Sequence, residues 1–138
     1  MSSAVATAQK LLYAQISTVW AGRTPVRWPN VDFIPPTDGS PWLAVDLMWG
    51  DGFARSMGEI GSGARNFMVG VLQLTVFGPT GEARGVTMAL VDVARDIVNR
   101  VIISGVRCDV PSAPMPGSGE LAWDSVIVRV PIEIEETV

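Results

Sequence analysis

The stretch that decides the fold is NFMVGVLQLTVFGP, residues 66–79. In a β-strand, successive side chains point to opposite faces of the sheet. One face of this stretch carries Phe67, Val69, Val71, Thr75 and Phe77, and the other carries Met68, Leu72, Leu74 and Val76. Apolar residues on both faces predict a central strand that is covered on each side by a helix or by a partner subunit.

Helical periodicity on both sides of this strand predicts two helices. Residues 3–21 repeat apolar side chains near the 3.6-residue spacing, and Gly22 is typical of the residue that ends a helix. A turn signal, GPTGEARG, follows the central strand and leads into a second amphipathic pattern over residues 84–103, which Gly105 closes.

Alternation with a period of two predicts strands over residues 42–49 and 123–135, and a short strand is predicted over residues 106–110. The glycine-rich residues 50–64 are compatible with one long loop, but we favour a loop around Asp51 and Gly52 followed by a strand over residues 54–60. This strand and the strand over residues 42–49 would form a meander with the central strand. Pro131 cannot donate a backbone hydrogen bond, so it predicts an edge position for the last strand. The fold predicted for residues 1–138 is a single α+β domain, a mainly antiparallel β-sheet with two principal helices packed on one face.

The composition of the chain argues against several classes of protein. The chain has a net charge of −4, only 17% charged residues and no clustered basic residues, so specific binding of duplex DNA is not expected. No apolar run reaches the roughly 20 residues that a membrane span needs, and the N-terminus does not resemble a secretory signal. The surplus of apolar residues predicts an oligomer interface. Cys108 is the only cysteine and is expected to be a buried apolar residue.

No catalytic, metal or cofactor site is predicted. The chain lacks histidine, which excludes Ser–His and Cys–His pairs and the usual zinc sites, and it has no phosphate-loop motif. Two carboxylate pairs invite a metal or acid–base interpretation, Asp46 with Asp51 and Asp92 with Asp96. The first pair has no evident third ligand, although a small ligand-binding or enzymatic site near Asp46 remains an alternative. The helix pair has arginines at the spacing of surface ion pairs, Arg95 and Arg100, which favours a solvated face.

The five tryptophans are numerous for a chain of this length, and at least half of them are expected in the core. Trp42 and Trp49 bracket a predicted strand. Because tryptophan is favoured in protein interfaces, these two are candidates for an interface with another subunit.

Several features taken together resemble the tail terminator proteins of long-tailed bacteriophages and gene transfer agents. They are the N-terminal helix, PWLAVDLMWGDG, the glycine-rich segment with Met57-Gly58, RNFMVGVLQLTVFGPTGEARG with its following helix, the proline-rich loop and the terminal alternating strand. The resemblance spans nearly the whole chain, and RNFMVGVLQLTVFGPTGEARG is its most specific part. Tail-tube and head–tail connector proteins of similar size are close alternatives to this family.

The resemblance implies a non-enzymatic virion protein that needs no cofactor. Such a protein forms a homohexameric ring that caps the tail tube, stops further tube growth and offers the surface on which the head docks. Its partners would be other copies of itself, the tail tube protein and the head–tail connector, while DNA passes through the lumen without specific binding. It would be located at the neck end of the tail and assembled in the host cytoplasm. The alternative is a connector or tube subunit of the same particle.

The interface residues are predicted mainly around the glycine-rich segment. Contacts to the neighbouring subunit or to the tube are expected from Trp42, Trp49, Arg55, Met57, Glu59 and Arg65. Two loops are candidates for docking, and their residues are Thr80, Glu82, Arg84 and Met115. Ring closure by a head-to-tail interface would use each patch once and leave none over.

Overall fold

The computed structural model of the chain describes residues 4–54, 63–79, 85–117 and 123–137. The helices are α1, Ala4–Trp20, and α2, Gly85–Val98. The strands are β1 (Val26–Arg27), β2 (Trp42–Ala54), β3 (Arg65–Pro79), β4 (Ile102–Ile103), β5 (Val106–Cys108), β6 (Met115–Pro116) and β7 (Trp123–Thr137). The predicted α+β class is confirmed.

The seven strands form one sheet in the order β1-β2-β3-β7-β5-β4, and β6 also pairs with β7. The short β1 runs parallel to β2, and all other pairs are antiparallel. The three long strands β2, β3 and β7 form the body of the sheet, with β3 between the other two. The stretch that decides the fold is therefore the central strand, as its two apolar faces predict.

Both helices pack on one face of the sheet, which we call the helix face. The buried side chains of this layer come from α1 (Ala8, Leu12, Ile16, Trp20), α2 (Val91, Ala94, Ile97, Val98), β2 (Leu43, Val45), β3 (Leu72, Leu74, Val76) and β7 (Val126, Val128, Val130, Ile132, Ile134), with Val106 and Cys108 of β5. Gly78 allows α2 to approach, because a Cβ at Gly78 would collide with the Thr87 side chain. The predicted alternation of β2 and β7 is confirmed by this set.

The second helix is shorter than the predicted residues 84–103. It ends at Val98, and Arg100 has a left-handed backbone with φ of 54°. The amide of Cys108 then donates to the carbonyl of Val101 over 2.7 Å. Apolar spacing continues through Val101 and Ile103, but these residues serve β4 and its hairpin to β5, which itself ends at Cys108 instead of residue 110.

The predicted loop at Asp51 and Gly52 is wrong. Strand β2 continues through these residues to Ala54, and its register with β3 shifts between Trp49 and Gly52. Gly50 and Asp51 together oppose the single residue Val69, which is the arrangement of a β-bulge. Glycine and aspartate suit both a loop and a bulge, so their presence alone did not distinguish the two. Of the predicted strand over residues 54–60, all but the first residue lies outside the described residues.

The edge position predicted from Pro131 is also wrong, because β7 lies inside the sheet between β3 and β5. Pro131 falls in the gap between the two short strands that pair with β7 on that side. There the amide of Asp109 donates to the Pro131 carbonyl over 2.9 Å, and the amide of Ser112 donates to the Arg129 carbonyl over 2.7 Å. An irregular segment thus replaces a regular ladder where proline cannot donate.

The predicted ion pairs of α2 do not form among the described residues. The Arg95 side chain is half-buried and donates from Nε to the Ser112 carbonyl over 3.1 Å and from Nη2 to the Pro111 carbonyl over 3.4 Å. It therefore ties the proline-rich segment to the helix, while Asp92 and Asp96 remain exposed.

Candidate interaction surfaces

The sheet face opposite the helices is only partly covered by the described residues, and we call it the open face. Along β3 its side chains Phe67, Val69 and Val71 are half-buried, in contrast to the fully buried Leu72, Leu74 and Val76 of the helix face. Met48, across from Val71 on β2, is 48% exposed. These four apolar residues form a patch that other groups on the described part of the chain leave accessible, which we call the open patch.

One end of the open face is closed by an aromatic cluster. Trp42 stacks on Phe77 with ring centroids 3.9 Å apart. The ring centroid of Phe33 lies 4.9 Å from that of Trp42, and Trp123 meets Trp42 edge-on with centroids 5.9 Å apart. The Arg27 guanidinium lies 5.0 Å from the Trp42 ring centroid, within cation–π range. This cluster seals the ends of β2 and β3 that lie furthest from the open patch.

The two tryptophans proposed for an interface lie on different faces. Trp42 is completely buried in the aromatic cluster, and its Nε1 has no hydrogen-bond partner in the described part of the chain. Trp49 is half-buried on the helix face, where its ring covers Gly70 of β3. A contribution of Trp42 to a subunit interface would therefore be indirect, through the surface that it supports. Their role in an interface stays a prediction.

Charged side chains frame the open patch in cross-strand pairs. Arg65 is the remaining described residue of the predicted interface, and its Nη1 lies 3.2 Å from Oε1 of Glu135. The Nη2 of Arg107 lies 3.4 Å from Oε2 of Glu133. The Arg129 Nε donates to the Gln73 side chain over 2.9 Å. These exposed contacts contribute little to stability, but they fix the charge pattern that a partner would meet.

Asp46 lies on the open face of β2, across from Gln73 of β3. Burial in the first place and the Asp46 carboxylate in the second raise the pKa of Tyr13, whose ring lies 5.1 Å from that of Trp28. The described residues contain no group of three or more side chains able to hold a metal ion. The polar groups on the neighbouring strands at this position, Gln73 and Arg129, are hydrogen-bonded to each other, and the alternative of a ligand site at Asp46 stays a prediction.

A small cavity of about 180 Å³ opens between β3, β7 and β5. Its lining includes Val69, Pro131 and the Arg107–Glu133 pair. The cavity lies where the regular ladder on β7 is interrupted at Pro131. It borders the open patch and is a depression in the same surface.

Cys108 is a buried free thiol in the helix-face core, as predicted. Burial raises the pKa of this thiol from 9.0 to about 11, so it is neutral at physiological pH. Such a thiol is a poor nucleophile and a poor metal ligand.

The remaining predicted contact residues are mostly outside the described part of the chain. Arg55, Met57 and Glu59 fall within residues 55–62, and Thr80, Glu82 and Arg84 fall within residues 80–84. Met115 is half-buried in β6, where it pairs with Ile127 of β7. None of the helices that the structure describes is long and apolar enough to cross a membrane.

The open patch was missed as a site by the sequence reasoning. Its signal was present, since the second apolar face of β3 needs a cover that two helices on one side cannot supply. The assignment of Phe67, Val69 and Val71 to that face is confirmed by their pairing with β2 and β7.

Comparison with known proteins identifies the chain's family. Matches among solved structures include a chain with 25% sequence identity and a TM-score of 0.64, over 91% of this chain and 94% of that one. A comparison with curated proteins finds no match. Residues 7–99, which contain most of α1 and all of β2, β3 and α2, match the sequence pattern described as phage tail terminator protein. The chain therefore belongs to the phage tail terminator protein family.

Proposed function

We propose that this protein forms a ring, expected to be a homohexamer, that caps the finished tail tube and stops the addition of further tube subunits. The same ring offers the surface on which the head docks through its connector. It acts without catalysis or cofactor, assembles in the host cytoplasm and remains at the neck end of the tail in the virion. DNA passes through the ring without specific binding.

Family membership is the observation that carries this proposal, since it indicates a structural role in the virion tail. The geometry supports it in a second way. A monomer that leaves apolar residues half-exposed on a central sheet face, as at Val69, has surface suited to a protein partner.

Termination requires that the two faces of the cap differ. One face must match the end of the tube, and the other must not reproduce that end, or growth would continue. A ring closed by head-to-tail contacts meets this requirement because every subunit presents the same side to the tube.

Tube assembly in the presence of the protein tests this function. Purified tube subunits should grow into shorter tubes as the protein is added, with the protein located at one tip by gold labelling in electron micrographs. An equal amount of bovine serum albumin serves as the inert control. Unchanged tube lengths, or protein distributed along the tube, would contradict the proposal.

The same experiment separates the two alternatives. A tube subunit would polymerise or co-assemble along the whole length, whereas a connector would bind finished ends without changing the lengths of growing tubes.

A further inference from the structure

The two edges of the sheet differ in a way that suits them to each other. On one side β1 pairs with only Leu43 and Ala44 of β2, so β2 is an edge strand beyond Ala44 among the described residues. On the other side the edge is β4, which has two residues. An exposed strand edge is a template for pairing with another chain.

The free part of β2 is short. It begins after Ala44, where β1 ends, and regular pairing stops at the bulge that follows Trp49. Residues 45–49 thus form a regular edge of five residues, bounded by β1 and by the bulge. This length admits a strand as short as β4 with its flanking residues, but not a long strand.

Backbone groups on both edges point outward. The Leu43 amide donates to the Pro25 carbonyl over 3.0 Å, away from β3, so the alternation of the ladder directs the amides of Leu47 and Trp49 to the same open side. Just before β4, the Cys108 amide donates to the Val101 carbonyl, so the backbone of Val101 faces β5. Because backbone groups alternate along a strand, the N–H and C=O of Ile102, the next residue, point away from β5. Both edges therefore carry backbone donors and acceptors that no described strand pairs.

The chain directions also agree. Strand β4 is antiparallel to β5, β5 to β7, β7 to β3 and β3 to β2, so β4 runs parallel to β2. A second copy placed beside the first without reversal would set its β4 parallel to β2, in the direction that β1 already takes.

Charge and apolar surface favour pairing of β2 with β4 of another copy over pairing of β2 with β2 or of β4 with β4. Asp46 and Asp51 are the only charged residues of β2, whereas residues 99–108 carry Arg100 and Arg107 and no acid. Pairing β2 with β2 would bring together two edges that carry Asp46, whereas pairing β2 with β4 brings Asp46 near an edge that has Arg100 two residues before it. Ile102 is 74% exposed and shares the open face with Arg107, to which it is paired, while Met48 on β2 is exposed on that same face.

We propose that β4 of one subunit adds as a parallel strand to the free edge of β2, residues 45–49, of the next subunit. The sheet then continues from copy to copy in a head-to-tail manner, with Ile102 beside the open patch of its neighbour. This inference rests on the proposed ring and specifies the edge by which the ring closes.

Cysteine cross-linking tests the contact directly. A chain carrying Met48→Cys and Ile102→Cys, treated with a short bis-maleimide in the presence of tube ends, should give a ladder of covalent oligomers on denaturing gels. Each single variant alone should stay monomeric, and a mixture of the two singles should stop at dimers. The wild type is the background control, because Cys108 is buried.

Absence of the ladder would overturn the inference. Dimers from either single variant would also overturn it, since they indicate a symmetrical contact between like edges. Tube lengths measured in the same samples keep the two proposals apart. Shortened tubes without cross-links leave the terminator function standing and refute this interface, whereas unshortened tubes with wild-type protein refute the function.

A backbone substitution gives a second, independent measurement. Ile102→Pro removes the outward N–H of β4 without removing a donor to β5, and Ile102→Thr keeps that N–H while losing the apolar side chain. In sedimentation velocity, the dissociation constant of the subunits should be about fivefold higher for the proline variant than for the threonine variant, which is the change expected for the loss of one hydrogen bond. Equal association of the two variants, with circular dichroism showing both folded, would argue against strand pairing.

Discussion

Gly70 is the position at which a single methyl group should test the packing of the central sheet. A Cβ there would lie 2.7 Å from the Met48 carbonyl oxygen, 3.1 Å from Cε3 of Trp49 and 3.4 Å from the Ile132 side chain. The first of these contacts is with backbone in the neighbouring strand, which cannot rotate away as a side chain can. Gly70→Ala therefore requires β2 and β3 to move apart where they are paired.

The magnitude follows from two opposing effects. Overpacking costs about 1–3 kcal/mol, and the backbone contact places Gly70→Ala toward the upper end of that range. Replacing glycine also restricts the unfolded chain, which returns about 0.4–1 kcal/mol. The net loss of unfolding free energy should be about 1–2 kcal/mol. With a urea dependence of roughly 2 kcal/mol per molar, the unfolding midpoint should fall by about 0.5–1 M.

Gly85→Ala is the matched control for this substitution. Gly85 is exposed at the first position of α2, and a Cβ there would meet no atom within 4 Å. The same chemical change should leave the midpoint unchanged or raise it slightly, because alanine favours the helix. Equal midpoints for the two variants in urea titrations followed by tryptophan fluorescence would refute the packing argument at Gly70.

Three further variants test other contacts. Arg95→Gln should lower the unfolding free energy by about 1 kcal/mol in urea titrations, because the two carbonyls that receive its hydrogen bonds near Ser112 lose a charged donor; an unchanged midpoint would exclude a stabilising role. Trp42→Ala should cost about 3–5 kcal/mol by removing a fully buried ring stacked on Phe77, and a cost below about 1 kcal/mol by calorimetry would show that the cluster collapses to fill the space. Burial raises the pKa of Cys108 to about 11, so its contribution to stability is complete below pH 9 and is lost as pH rises toward about 11; Cys108→Ala should flatten that part of the stability–pH curve, and parallel curves would contradict the assignment.

The central strand and both helix positions could be predicted because each depends on local periodicity. The alternation of residues 66–79 fixes a strand with two apolar faces, and a strand of that kind must lie inside the sheet. The errors arose where local signals have more than one structural solution. Gly50 and Asp51 form a bulge as readily as a loop, and the apolar spacing that continues past Val98 serves a hairpin instead of a longer helix.

The candidate site was harder to predict than the fold because it is defined by what remains uncovered. Whether Val69 is buried depends on which other segments reach the open face, and the sequence does not state how far the aromatic cluster extends. Arg95 shows the same limit, since its partners at residues 111 and 112 are distant along the chain and no spacing rule relates them.

The division of the sheet separates folding from assembly. The helix face and the aromatic cluster hold the fully buried apolar residues, so the stability of a single subunit depends on groups such as Leu72 and Trp42. The open patch and the two sheet edges contribute little to that core, because Met48 and Ile102 are largely accessible. Substitutions at these exposed positions should therefore change association while leaving the unfolding midpoint nearly constant, and core substitutions should do the reverse. Such a division suits the proposed assembly role, because surface that is left accessible in the single subunit is the surface available for contact.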